Sequence, residues 1–391
     1  MADEQLLRKI HALDNLSLAV LLSLVAREHC LISTPTSAVD PLVEELRLIS
    51  TRTFHLQPAV IPCHAHTTID DFATALLIPS SSPNRRPSSN HDPSASYFSP
   101  QPGGNRYQHP HPRTHHHHQQ SPATPAQIAN VVIAKDLDRA PRAVQIQALE
   151  LLRTRRLFTR SAVHAAPRQF LLVAVVGARG PGEARVAAHL NDFLYLAHWH
   201  DPEEEGGFAN LDREEGRLDA DDGADAASTT SSESVVKTGV GVRPPGSVAG
   251  QAGGRGAGDP GPVFTEGELS CLAELGQRVR VDVDVLRYQM NIVSFLRMHR
   301  AVAGGITPTA TKHFELLMKS LAPLHGLDYV TPSLVTLAAR KVYLHRIKLV
   351  APEHERSMQW GSDLAAVEAI LEGVGPEDAI EDVLEVVAVP V

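Results

Sequence analysis

The stretch VVIAKDLDRA, residues 131–140, runs four apolar residues straight into a cluster of charges. A short apolar run of this kind makes a buried strand, and open α/β sheets bind ligands where parallel strands end. A site that hydrolyses a nucleotide needs two acids at such a point, one to hold Mg²⁺ and one to position water. Here the two positions are Lys135 and Asp136. The strand end stands where catalysis would be placed, but its residue types do not supply the chemistry.

Other constellations offer ligand atoms. His109, His111 and His115–His118 form a tract of imidazoles, good ligands for Zn²⁺, Ni²⁺ or Cu²⁺. It lies in a stretch expected to be disordered, with nothing to fix a geometry, so metal affinity there is not read as function. CHAHTTIDD (63–71) brings together Cys63, His64, His66, Asp70 and Asp71. It has no second pair at zinc-ligand spacing, and its Thr-Thr-Ile-Asp-Asp run is expected to cap a helix. Arg153, Arg155, Arg156 and Arg160 could meet phosphates, or simply complement a helix C-terminus. His189, His198, Trp199 and His200 stand beside acids and are expected to form a strand that ends in a solvated loop.

Any of these sites must be carried by a fold, and the 391 residues suffice for two or three domains. Apolar residues make up 43%, a globular proportion. Cys30, Cys63 and Cys271 are widely spaced and leave one over, so no disulfide framework is expected and a reducing cytosol or nucleus fits. No apolar run is long enough to span a membrane, and MADEQLLRKI starts acidic and polar, unlike a secretory signal. Residues 201–225 hold eleven acids against Arg213 and Arg217 and so carry the whole net charge of −9. The remainder is near neutral, which disfavours nucleic acid as a partner.

Composition divides the chain. Residues 80–127 are rich in Pro, Ser, His and Gln, and 201–262 are acidic and then Gly/Pro-rich; both are expected to be disordered insertions. The ordered blocks are then 1–79, 128–200 and 263–350, followed by an acidic tail, 351–391. In the first two, apolar runs alternate with helical patterns: HCLI, PAVIPC, VVIA, QFLLVAVVGA and LNDFLYLAHW against residues 4–27, 42–49 and PRAVQIQALELLRTRR. That alternation predicts a parallel, doubly wound sheet. The third block is helical, with a capping box at Thr265 and Glu268, a helix closed by Gly326, and another that starts at Thr331-Pro332. The tail predicts two short helices broken at Gly373-Val374-Gly375.

With these motifs in view, the chain resembles the AAA+ module of the MoxR and magnesium chelatase I-subunit group. The resemblance is carried by Gly326-Leu327-Asp328-Tyr329-Val330-Thr331-Pro332 and by the helix that ends in His345-Arg346. Both match that group's helical lid, which also has a small-residue turn like Gly304-Gly305. DLDRAPRAVQIQALELL is similar to its Asn-Arg-Ala-Pro segment and following helix. The resemblance covers about 29–50, 128–200 and 264–350. It implies a three-layer P-loop-type α/β domain with a parallel sheet, followed by an all-helical lid.

The positions that the resemblance would make catalytic depart from the pattern. A phosphate loop reads G-x-x-x-x-G-K-[ST], with backbone N–H groups around the phosphates, Lys on the β/γ-phosphates and a hydroxyl on Mg²⁺. The equivalent STPTSAVD (33–40) has Ser33 and Ala38 for the glycines, Val39 for the lysine and Asp40 for the hydroxyl. A charge-assisted hydrogen bond contributes about 1.5–3 kcal/mol, and Val39 makes none. Lys135 stands at the metal-binding position, and Asp136 keeps a carboxylate of shorter reach. Gly177 stands where the family's sensor strand ends in Asn. Asp192 is near the place of an expected arginine, and Thr309 follows Pro308 where a second sensor arginine is expected.

Loss at five separate places within a readable framework predicts a nucleotide-inactive AAA+ protein that works as an assembly or scaffold subunit. No cofactor is expected on that reading. The implied partners are other AAA+ subunits or an integrin-domain protein. An active ATPase with displaced motifs is the alternative, and only then would ATP and Mg²⁺ bind; a nucleic-acid factor is the third reading. Lys135 itself has two readings: its ammonium replaces Mg²⁺ beside a nucleotide, or it pairs with Asp136, Asp138 or Asp40 and neutralises the pocket.

Overall fold

The computed structural model describes residues 3–79, 126–160, 162–214 and 263–390. The tract histidines and most of the two expected insertions lie outside them.

Two N-terminal helices, α1 (Glu4–His11) and α2 (Asn15–Ala26), precede strand β1 (His29–Pro35) and helix α3 (Val39–Leu48). Strand β2 (Pro58–Pro62) and helix α4 (Ile69–Ala75) follow. Two short strands, β3 (Leu77–Pro79) and β4 (Ala126–Ile128), pair antiparallel across the first insertion, so Ala126 and Gln127 belong to the fold. Then come β5 (Val131–Lys135), α5 (Arg142–Thr154), a small hairpin of β6 (Arg156–Phe158) and β7 (Val163–Ala165), β8 (Leu171–Ala178), α6 (Ala188–Phe193) and β9 (Leu194–Trp199).

The five long strands form one parallel sheet in the order β2-β5-β8-β1-β9. Side chains alternate across it. Cys30, Ile32, Val131, Ile133, Val173 and Val175 face a core shared with α2, α3 and the helices after residue 263. Leu31, Val132, Ala134, Leu172, Ala174 and Val176 face a core shared with α4, α5 and α6. Both faces are covered, which is why these strands read as unbroken apolar runs. The chain leaves β1 towards β2 on one side, whereas β8 leads to β9 on the other. The end of β1 is therefore the switch point where doubly wound sheets open a crevice.

The acidic segment does not leave the fold at residue 201, contrary to expectation. A turn over 201–207 leads to a short helix, α7, over 209–214. Glu45 of α3 anchors it: its buried carboxylate accepts from the Asn210 and Leu211 backbone N–H groups at 2.9–3.1 Å and from the Asn210 amide at 2.6 Å. Glu45 thus satisfies donors at a helix N-terminus that would otherwise be orphaned.

The lid comprises α8 (Glu266–Arg278), α9 (Val283–Met298), β10 (Val302–Gly304), α10 (Pro308–Leu324), α11 (Pro332–Tyr343) and β11 (Lys348–Leu349). Thr265 and Glu268 form the reciprocal capping box. Gly326, at φ +71°, closes α10. Gly305 has φ +104°, and a Cβ there would overlap the Arg346 carbonyl oxygen, so the turn requires glycine. In the tail, α12 (Leu364–Leu371) and α13 (Pro376–Val386) flank Gly373-Val374-Gly375, and α13 packs on α9 and α11.

Candidate functional site

The carboxyl ends of β5, β8, β1 and β9 lie side by side, and every residue compared with a nucleotide site can be located against them. STPTSAVD does not form a wide loop. Ser33, Thr34 and Pro35 continue β1, in register with Val176, Gly177 and Ala178 of β8. A single 3₁₀ turn over Thr36–Ala38 leads directly to Val39, the first residue of α3. No glycine releases the chain from the ladder, and β8 and β9 bond it from both sides.

Gly177 is covered by this turn. A Cβ on it would stand 2.9 Å from the Thr36 methyl and 3.2 Å from a Val39 methyl. Thr36 and Val39 therefore fill the space above the end of β8. The N-terminus of α3, where an anion would be drawn, carries its own anion in Asp40. The Asp40 carboxylate pairs with the Lys135 ammonium at the end of β5, so the two charges meet across β8.

Asp136, next in the chain, takes a left-handed conformation at φ +52° and donates its N–H to the Val175 carbonyl at 2.8 Å. Its carboxylate lies 3.8 Å from Arg139 Nε. Burial, with the nearby Asp136 charge, raises the Asp138 carboxyl above its ordinary range, although backbone hydrogen bonds and Arg139 oppose this. Burial and then the same two aspartates push the Cys63 thiol up to about 12, so it is an inert core thiol.

The remaining residues of 63–71 do not converge. His64 Nδ1 and the Thr67 hydroxyl are 3.0 Å apart, Asp71 closes a capping box with Thr68, and Asp70 pairs with Arg160 at 2.7 Å. The arginine cluster disperses too. Arg155 donates to the Arg27 carbonyl at 2.9 Å and stands over the Phe170 ring.

Asp192 and Thr309 lie at the junction with the lid. Asp192, near the end of α6, accepts from the Thr307 hydroxyl and stands 3.8 Å from Arg346 Nε. Thr309 sits one residue past Pro308, in the first turn of α10. His345 Nε2 bonds the Leu194 carbonyl at 2.9 Å, Asn191 donates to the His345 carbonyl at 2.7 Å, and Arg185 reaches the Ile347 carbonyl at 2.9 Å. The helix stops at Tyr343, short of the expected His-Arg end, and the His345-Arg346 turn that follows it clamps the lid to the chain around β9.

The end of β9 departs most from expectation. His198 and His200 are each 4% exposed, because the 201–207 turn folds back over them. His200 donates its N–H to the Ser33 carbonyl at 2.9 Å, and its Nδ1 lies 2.7 Å from the Glu205 carboxylate. His198 and His200 stood out in the sequence; Glu205 did not, because it sits in an acid run that reads as solvated.

A family model for the AAA lid domain matches residues 294–368. A solved structure of a "putative ATPase" from Cytophaga hutchinsonii superposes with a TM-score of 0.57 over 99% of this chain and 94% of that one, at 12% identity. A maintenance of telomere capping protein 2 from Lachancea thermotolerans is 30% identical over 105 residues, 26% of this chain and 37% of that protein. The uncharacterized protein YeaC of Bacillus subtilis is 28% identical over 130 residues, 33% of this chain and 36% of that protein. The chain thus matches little more than a third of the length of either curated relative. The parallel five-stranded sheet, its helices and the C-terminal lid make this an AAA+ fold.

Proposed function

We propose that this chain uses an AAA+ fold without turning over nucleotide, and works by contact with partners, other AAA+ subunits foremost. The observation that carries this reading is the Lys135–Asp40 pair above a β8 end already filled by Thr36 and Val39. A phosphate there would have to displace two methyl groups, meet the Asp40 carboxylate and do without a P-loop lysine. Mg²⁺ would face the Lys135 ammonium where it needs an acid.

Within AAA+ modules we assign the chain nearest to the magnesium chelatase I-subunit and MoxR group, on the Gly326–Pro332 step and the His345-Arg346 clamp. An integrin-domain protein is the partner class that assignment implies. The name of the Lachancea relative makes telomere-capping proteins a sensible part of any partner search.

The test is ATP hydrolysis by the full chain with Mg²⁺, beside Asp136→Ala. The expected result is no turnover above buffer and no change on substitution. Turnover that Asp136→Ala abolishes would overturn the reading in favour of an active ATPase with displaced motifs.

A further inference from the structure

At the end of β9, His198 and His200 sit two residues apart and so share one side of the strand, and the 201–207 turn brings Glu205 back to both. One ligand atom from each of the three lies within 4.8 Å of the others, the one such group among the described residues. We propose that His198, His200 and Glu205 form a mononuclear site for a divalent cation of the zinc class. This inference is independent of whether the chain binds nucleotide.

The distances suit a shared cation better than they suit the groups alone. His198 Nε2 is 3.8 Å from the Glu205 carboxylate, too far for a hydrogen bond. Two N/O ligands on one tetrahedral Zn²⁺ stand roughly 3.4 Å apart, given bond lengths near 2.0–2.2 Å. Bringing His198 slightly closer and letting the 2.7 Å contact between His200 and Glu205 open slightly reaches that geometry. His198 Nε2 is buried and has no hydrogen-bond partner, and the same is true of His200 Nε2. A buried, unpaired imidazole nitrogen carries a desolvation cost, and a metal ion removes it for His198.

Lys341 Nζ lies 3.1 Å from His198 Nδ1, so Nε2 is the ring nitrogen left towards Glu205.

Three protein ligands leave a fourth position. His198, Glu205 and Lys341 also line a cavity of about 700 Å³ between α1, α2, β9, α10 and α11, whose other walls include Leu18, Leu22 and Leu317. Water completes the coordination from that side. The pattern of two histidines, one carboxylate and an open position suits a borderline cation rather than Mg²⁺ or Ca²⁺, which prefer all-oxygen sites.

Co²⁺ is the probe, because a tetrahedral N/O site gives it strong visible absorption. The full chain is used with His109, His111 and His115–His118 replaced by Asn, which removes competing imidazoles. One equivalent of Co²⁺ should produce the tetrahedral spectrum, Zn²⁺ should abolish it, and His198→Asn should weaken binding at least tenfold. Glu205→Gln, nearly isosteric, should do the same and guards against a histidine variant that fails to fold. Failure of the tract-free chain to bind Co²⁺, or an unchanged spectrum in folded Glu205→Gln, would overturn the proposal.

Discussion

Arg346, in the turn between α11 and β11, reaches Asp192 near the end of α6: the guanidinium donates to the Asp192 carbonyl at 3.3 Å and approaches its carboxylate at 3.8 Å. Arg346 is 3% exposed and also bonds the Val342 and Leu194 carbonyls and His313 Nδ1. Burial lowers its pKa to about 10, still charged at neutral pH. Arg346 thus serves three backbone carbonyls from two domains, sharing that of Leu194 with His345. Arg346→Ala should cost about 3 kcal/mol, since it strips partners from buried acceptors. Asp192→Asn, which can still accept from Thr307, should cost about 1 kcal/mol. Urea unfolding of both variants measures the difference.

Glu28 supplies a pH signature. It follows Arg27, the left-handed residue that closes α2, and its carboxylate lies 3.8 Å from His313 Nε2. Burial raises its pKa to about 7, against the pull of Arg155 and Arg346. Between pH 4.5 and 7 the folded state therefore keeps a proton that the unfolded state has released. Glu28's contribution is fully present below pH 4.5 and is lost as pH rises through 7. His29 and His313, whose pKa values burial lowers to about 3, act in the opposite direction. The readout is thus the difference between wild type and Glu28→Gln: the variant should gain about 3 kcal/mol relative to wild type between pH 4.5 and 8. Denaturant unfolding across that range checks it, and a constant difference would contradict the assignment.

Glu45 should govern whether the acidic segment stays on the fold. Glu45→Ala leaves the N-terminus of α7 without its acceptor and should cost about 2–3 kcal/mol. Glu45→Gln, which keeps one good acceptor, should cost less. Amide exchange should rise first at Asn210 and Leu211, the two donors that Glu45 holds.

Much of the scaffold was legible because its signals are local. The apolar run at 131–134 is a strand because both its faces are buried, and the Thr265–Glu268 spacing is a capping box because two side chains three apart can satisfy each other's N–H groups. The closure at Gly326 follows from its left-handed φ. The misses are non-local. Ser33-Thr34-Pro35 reads as loop by residue type, and only pairing with β8 and, at Ser33, β9, more than a hundred residues on, makes it strand. Residues 201–214 read as solvated acid, and their place is set by Glu45, 165 residues away. At the candidate site, Lys135 was legible as a misplaced cation, and Asp40 was among its three expected partners. That Thr36 and Val39 would press on Gly177 depends on how short the turn after β1 is, which no spacing announces.

Lys135 and Asp40 should matter little to stability. Asp40 is largely exposed, with its side chain at 82%, so Lys135→Ala should cost no more than about 0.5 kcal/mol in urea unfolding. A pair that can be removed so cheaply, with nucleotide binding still absent in Lys135→Ala, would place the block in Thr36, Val39 and the missing P-loop lysine.

The most direct measurement is equilibrium titration of the full chain with labelled ATP, with and without Mg²⁺. The account predicts no saturable binding in either condition up to millimolar nucleotide. Micromolar, saturable binding that Val39→Trp abolishes, by filling the same space above Gly177, would contradict it.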